Sequence, residues 1–79
     1  MVLAQMPQGD TGKVESIRSR SVIALRLASL GLLPGCHVRV LRKRKRGAVL
    51  LEYRGTFLAV SHSIAEEIQM AEAEEAMRK

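Results

Sequence analysis

Residues 26–35 read RLASLGLLPG, and they mark the place where a helical sequence pattern gives way to strands. Gly31 can adopt the left-handed conformation that ends a helix, because glycine has no Cβ to clash. Pro34 follows shortly afterwards and prevents the helix from continuing. The segment therefore predicts a helix that ends at Gly31, with Leu32 just beyond the glycine and in contact with Leu27.

The residues upstream of this stop have the pattern of an amphipathic helix. Ser21 is a good N-cap, because its hydroxyl can accept a hydrogen bond from the free amides that open a helix. Ile23, Leu27 and Leu30 then recur at the spacing of one helix face. We expect one principal helix, near residues 21–30.

Downstream of the stop, three segments alternate in the manner of half-buried strands, namely 36–42, 49–54 and 56–60. The polar run Lys43–Gly47 separates the first two, and Arg54–Gly55 is a tight-turn candidate between the second and the third. In the first of these strands the alternation places Cys36 on the inward face. The pattern predicts a three-stranded antiparallel meander.

Two shorter segments complete the expected sheet. Residues 13–17 are a strand candidate that follows a turn-rich entry at 9–12. By propensity, residues 63–78 could form one helix, but a small barrel needs a closing strand to cover its edge. We therefore expect a helical turn at 62–66 and a short strand at 67–70. The fold class is mainly β, a small barrel of about five antiparallel strands with one principal helix and a short C-terminal helical turn or tail.

Length and composition fit one small domain. The chain has 79 residues, a net charge of +5 and one cysteine, so it has a small core and no internal disulfide, and self-association would help to stabilise it. We expect a lead-in at 1–8, a barrel domain at 9–70 and a tail at 71–79. Residues 1–61 carry 11 basic and 3 acidic residues, against 2 basic and 5 acidic residues in 62–79. The acidic end either folds back on the basic body or stays solvated. With no secretory or membrane-spanning pattern, a reducing cytoplasm fits best.

The segment Arg26–Gly35 resembles the FeoA family, whose pattern reads roughly R-L-x-x-[LM]-G-[LI]-x-x-G. Val38–Val40 then matches the V-x-V strand of that family, and residues 55–61 are similar to its segment of glycine, apolar, alanine and apolar positions. The apolar ending of the pattern is matched by Ala65, Ile68 and Met70. The resemblance runs in order over residues 9–70.

FeoA proteins are small cytoplasmic SH3-like barrels that accompany FeoB, a membrane transporter of ferrous iron with a cytoplasmic GTPase domain. A similar module ends the DtxR-type iron-dependent repressors. The resemblance thus implies an SH3-like barrel that binds and regulates FeoB as a non-catalytic accessory protein of ferrous iron uptake. It also implies a cytoplasmic protein that reaches the inner face of the membrane through this partner. We expect no cofactor and, since no DNA-binding domain precedes the barrel, no DNA partner.

Two groups of residues are the candidate partner contacts. Leu32 and Leu33 flank the glycine turn, and one of the two is expected to be exposed. The second group is a run of five positive charges at the expected hairpin tip, Arg42, Lys43, Arg44, Lys45 and Arg46. Such a run is consistent with a solvated loop, with a contact for an acidic protein surface, or with a site for phosphate or anionic headgroups.

Cys36 and His37 have the ligand chemistry of a zinc or other transition-metal site. Neighbouring strand residues point to opposite faces, so we expect a buried thiol, an exposed imidazole and no metal site within one subunit. A metal shared between subunits, as in an intersubunit sensor, is one alternative.

A second alternative function is an RNA-binding or ribosome-associated SH3-like module that uses the basic tip. The tip does not resemble a phosphate-binding loop, because the chain lacks the pattern G-x-x-x-x-G-K-[ST]. The serines have no identifiable Ser-His-Asp partner set either. We therefore expect no enzyme activity.

Overall fold

The structure is a computed structural model that describes residues 1–18 and 21–71. The chain forms β1 (Thr11–Ile17), α1 (Ser21–Ser29), β2 (His37–Lys43), β3 (Val49–Tyr53), β4 (Thr56–Val60), α2 (His62–Ala65) and β5 (Ile68–Met70). All neighbouring strands are antiparallel, and they form one sheet in the order β4-β3-β2-β1-β5. The expected mainly β fold, with one principal helix and a short helical turn, is confirmed. In the described part of the chain, neither helix has the length and apolar character to cross a membrane.

The end of α1 has the geometry that the sequence predicts. Gly31 lies at a φ of +92° and donates its backbone N–H to the Ala28 carbonyl at 2.9 Å. The Leu32 N–H reaches back to the Leu27 carbonyl, also at 2.9 Å. These two bonds define a Schellman motif, and both leucine side chains are buried in the core.

The apolar face expected for α1 is buried only in part. Ile23 packs against the core and Leu27 is buried, but Leu30 is 47% exposed. Leu30 follows Ser29, the last helical residue, and its side chain lines an open groove between the helix and β4. The helix begins at Ser21, whose predicted capping side chain lies outside the described part of the structure.

The central meander positions the basic segment. In β3 the side chains of Val49, Leu51 and Tyr53 are buried and alternate with half-buried ones, as expected. Arg54 and Gly55 both have positive φ, at 53° and 76°, so a two-residue turn of type I′ joins β3 to β4. The backbone twist of this turn matches the twist of the paired strands, which holds the hairpin in register.

Residues 1–8 are part of the core and not an unpatterned lead-in. A 3-10 turn at Leu3–Gln5 buries Leu3, and Met6 is buried directly after it. The Met70 N–H donates to the Met1 carbonyl at 2.8 Å, which ties this segment to β5. Because a single short turn buries its apolar residues without repeating a period, the sequence pattern alone gives no sign of this packing.

The C-terminal choice of a helical turn and a short strand is confirmed. Ser61 caps α2 by accepting a hydrogen bond from the Ile64 N–H at 3.2 Å. In β5, the side chains of Ile68 and Met70 are buried, and the strand pairs with β1 at the edge of the sheet. Of the predicted tail, residues 72–79 lie outside the described residues.

Candidate partner-binding site

The two leucines beside the glycine turn have opposite environments. Leu32 is fully buried, so its side chain belongs to the core and not to a contact surface. Leu33 is 48% exposed, while its carbonyl accepts a hydrogen bond from the Cys36 N–H at 3.0 Å. The neighbouring Gly35 N–H donates to Val14 of β1 at 2.7 Å. Leu33 is therefore an apolar side chain presented on a backbone that the sheet holds in place.

The basic run begins with Arg42 and Lys43 at the end of β2 and continues through Arg44–Arg46 at the tip of the β2–β3 hairpin. The Gly47 N–H donates to the Arg44 carbonyl at 2.9 Å, and Arg46 has a φ of +59°. Arg42, Arg44, Lys45 and Arg46 are exposed. Within the described ranges the one contact between a basic side chain and a carboxylate joins His62 and Glu66, with Nε2 and Oε2 3.2 Å apart. The four exposed charges thus have no carboxylate partner among the described residues.

Lys43 differs from the other four charges of the run because it is half-buried. Its Nζ donates to the Met6 carbonyl at 2.8 Å, and its backbone N–H donates to the Gln8 side-chain oxygen at 3.0 Å. A lysine in the middle of a basic run gives no sequence signal for such a role. Lys43 joins the hairpin to the N-terminal segment, which leaves four charges for a partner.

An apolar groove of about 420 Å³ lies between α1 and β4, and sequence reasoning missed it. Its walls include Val22 and Arg26 on α1, Leu30 directly after α1, and Leu58 on β4. Val22 is 68% exposed, which is an unusual position for a β-branched residue on a helix that packs on a sheet. The exposed apolar positions of α1 are the signal that could have pointed to this groove.

Tyr53 anchors Leu30, one of the residues that line this groove. Its hydroxyl donates to the Leu30 carbonyl at 2.7 Å, so the last turn of α1 is tied to β3. Burial raises the pKa of the Tyr53 hydroxyl above its ordinary value of 10, and the Cys36 thiol nearby adds to the shift. The neutral, hydrogen-bonded phenol is therefore the form that holds the helix in place.

Cys36 and His37 do not share an environment. Cys36 is half-buried and packs against the core, with its Sγ 3.7 Å from the His37 carbonyl, whereas the His37 side chain is exposed. Across residues 1–18 and 21–71, no three His, Cys, Asp or Glu side chains come together as a possible metal site. The described residues of one subunit therefore do not fit a bound metal ion.

A family model described as the FeoA domain matches residues 1–72. The chain belongs to the FeoA family. This confirms the resemblance noted in the sequence and extends it over the N-terminal segment that packs in the core. FeoA is a family of small SH3-like accessory domains that are not known as catalytic, and membership supports a role in ferrous iron transport.

Solved FeoA structures share the fold closely. The crystal structure of an iron uptake regulatory protein (FeoA) is 27% identical with a TM-score of 0.81, over 89% of this chain and 93% of that one. Stenotrophomonas maltophilia FeoA, solved as a zinc complex and described as a procaryotic SH3 domain protein, is 28% identical with a TM-score of 0.78, over 90% and 89% of the two chains.

The same fold occurs in a larger regulator. A manganese-dependent transcriptional repressor matches with 23% identity and a TM-score of 0.82, over 90% of this chain but only 40% of the repressor. This likeness shows a common fold and nothing further. A comparison with curated protein sequences gave no match.

Proposed function

We propose that this FeoA protein is a non-catalytic, cytoplasmic accessory protein that binds the cytoplasmic side of an FeoB-type ferrous iron transporter and regulates it. The observation that carries the proposal is the FeoA family match over residues 1–72. The S. maltophilia FeoA has a suggested role as a ferrous iron transport activating factor, which favours activation over inhibition. Nucleotide hydrolysis belongs to the transporter in this scheme.

Two surface features of the chain support a role in binding, and they act over different distances. Leu33 is exposed on a fixed backbone, and burying such a side chain contributes about 1.5–3 kcal/mol. The hairpin tip carries Arg44, Lys45 and Arg46, and Arg42 is exposed at the end of β2 beside it. At physiological salt the Debye length is about 8 Å, so charges at a rim mainly change the association rate. We therefore propose that Leu33 contributes most to the affinity for the transporter, and that the charges of the hairpin tip raise the association rate.

The test is the binding of purified FeoB, in detergent, to the folded protein and to its Leu33→Asp variant. Leu33→Asp places a charge where the proposed contact buries a leucine, so dissociation becomes faster and binding falls by tenfold or more. Leu25→Asp is the matched control, because Leu25 is also an exposed leucine, at 70%, but lies on α1. Both variants are first checked for a native thermal transition. Unchanged binding by folded Leu33→Asp would exclude Leu33 as the contact.

A tip variant tests the role of charge separately. It combines Arg44→Ser, Lys45→Ser and Arg46→Asn, and it retains Lys43 because that side chain holds the N-terminal segment. Asparagine suits the positive φ of residue 46. The expected result is slower association with a weaker dependence on salt, and unchanged dissociation.

RNA binding is the second candidate function, favoured by the four exposed charges that have no carboxylate partner among the described residues. It predicts that affinity for RNA falls steeply with salt, in proportion to the number of phosphates contacted. The tip variant would then reduce the slope of log affinity against log salt. If the protein binds FeoB and shows no such RNA retention, this candidate is eliminated.

A further inference from the structure

The open edge of the sheet at β4 has backbone groups that face away from β3. A two-residue turn makes Tyr53 and Thr56 a hydrogen-bonded pair, and pairs of this kind alternate along antiparallel strands. Phe57 and Ala59 therefore occupy the positions whose N–H and C=O groups point outwards. No turn or loop backbone bond from the described residues reaches either of them. Among the described residues β4 is thus a strand edge without a partner on this side, and Phe57 and Ala59 carry the backbone groups that can pair.

The apolar groove runs beside this edge. β4 contributes Leu58 and Val60 to its walls, α1 contributes Val22, and Leu30 lies directly after α1. Val22 and Leu30 remain 68% and 47% exposed, so the groove is an accessible surface and not a sealed cavity. A strand that paired with β4 would place every second side chain on the side of the groove, because successive side chains of a strand alternate between its two faces.

The positive charge of Arg26 at the groove favours an acidic occupant. Arg26 lines the groove and is exposed, and the ion pair His62–Glu66 is the one found among the described residues. Arg26 thus has no carboxylate partner among the described residues, and a carboxylate of the occupant would form an ion pair with it. A second copy of this chain would bring another Arg26 to the same edge on a protein of net charge +5, which opposes pairing of two copies.

We propose that β4 and the groove bind an extended, acidic segment of a partner protein by strand addition. The segment pairs with the outward N–H and C=O groups of Phe57 and Ala59, inserts alternate apolar side chains between α1 and β4, and sets a carboxylate against Arg26. This mode combines backbone hydrogen bonds, which give affinity, with pockets for alternate side chains, which give selectivity. The inference rests on the proposed function in one respect, since a cytoplasmic segment of the transporter is the partner it envisages.

The test needs no transporter, so its failure is distinguishable from failure of the proposed function. A library of random ten-residue peptides displayed on phage is selected against the immobilised protein, and enriched peptides are synthesised and titrated into the isotope-labelled protein. We expect enriched sequences to alternate apolar and polar residues and to carry an acidic residue. The largest amide shifts are expected in residues 56–60 and 22–30, and amide exchange at Phe57 and Ala59 should slow on binding.

Two pairs of variants separate the backbone contribution from that of charge. Arg26→Glu should weaken the selected peptides by about tenfold or more, as expected for loss of a charged hydrogen bond, while Arg44→Glu at the distant hairpin tip changes their affinity less than twofold. Ala59→Pro removes one outward N–H and should abolish binding, whereas Ala59→Ser, which keeps the N–H, should retain it. The inference would be overturned by peptides that bind to another surface, or by peptides whose affinity does not change in Arg26→Glu. An absence of enrichment, or self-association through β4, would also overturn it.

Discussion

The substitution Gly31→Val tests how the helix stop holds the fold together. Gly31 has a φ of +92°, where a residue with a Cβ is strained by about 1–2 kcal/mol. A Cβ at this position would lie 3.5 Å from Cε2 of Tyr53, an ordinary contact, but the two methyl groups of valine extend beyond it and crowd the ring. Overpacking of this kind costs about 1–3 kcal/mol more. We expect a total loss of about 2–5 kcal/mol.

Such a loss is large for this chain, because a domain of its size has about 4–12 kcal/mol of stability. The assay is urea and thermal unfolding followed by circular dichroism, where a loss of about 2 kcal/mol lowers the Tm by about 8 °C or more. Gly35→Val is the matched control: Gly35 has a φ of +94°, but a Cβ added there would meet nothing within 4 Å, so only backbone strain is tested. A loss below about 0.5 kcal/mol for Gly31→Val would refute the strain reasoning. Equal losses for both variants would refute the crowding of Tyr53.

Two further substitutions test contacts that the sequence pattern does not reveal. Tyr53→Phe removes the donor to the Leu30 carbonyl and should cost about 1 kcal/mol. The pKa of Tyr53 is raised in the folded protein, so its contribution to stability is complete below the unfolded value of 10. This contribution is lost as the pH rises through the folded pKa. The stability measured in urea should therefore fall less steeply above pH 10 in Tyr53→Phe than in the parent protein. Lys43→Met keeps the apolar stem but loses the hydrogen bond to Met6, and should cost about 1 kcal/mol in the same assay. Lys45→Met, at the exposed tip, should change stability by less than about 0.5 kcal/mol; equal losses for the two lysines would contradict the role of Lys43.

The sequence predicts those parts of the fold that local chemistry determines. Gly31 with Pro34 locates the helix end, and the Arg54–Gly55 turn locates a hairpin, because each requires a backbone conformation that few residues adopt. The choice of a closing strand at 67–70 required one tertiary argument, the need to cover an edge. The packing of residues 1–8 could not be predicted from the sequence, because their burial depends on contacts with β5 and not on a repeated pattern.

The candidate site is predictable only as a set of residue types. The basic run is visible in the sequence, but the burial of Leu32 and the hydrogen bond from Lys43 to Met6 depend on how distant segments meet. The same holds for the groove, which needs α1 and β4 side by side. A sequence pattern identifies which side chains are chemically suited to a contact, and the packing then decides which of them are exposed.

Uptake of radioactive ferrous iron tests the central claim most directly. It is measured in cells that lack this protein and carry the transporter, and in the same cells that express the protein or its Leu33→Asp variant at equal levels. We expect uptake to fall without the protein, to be restored by the parent chain, and to remain low with Leu33→Asp. The uptake of ferric chelates, measured in parallel, should be unaffected. Ferrous iron uptake that does not change when the protein is removed would contradict the account.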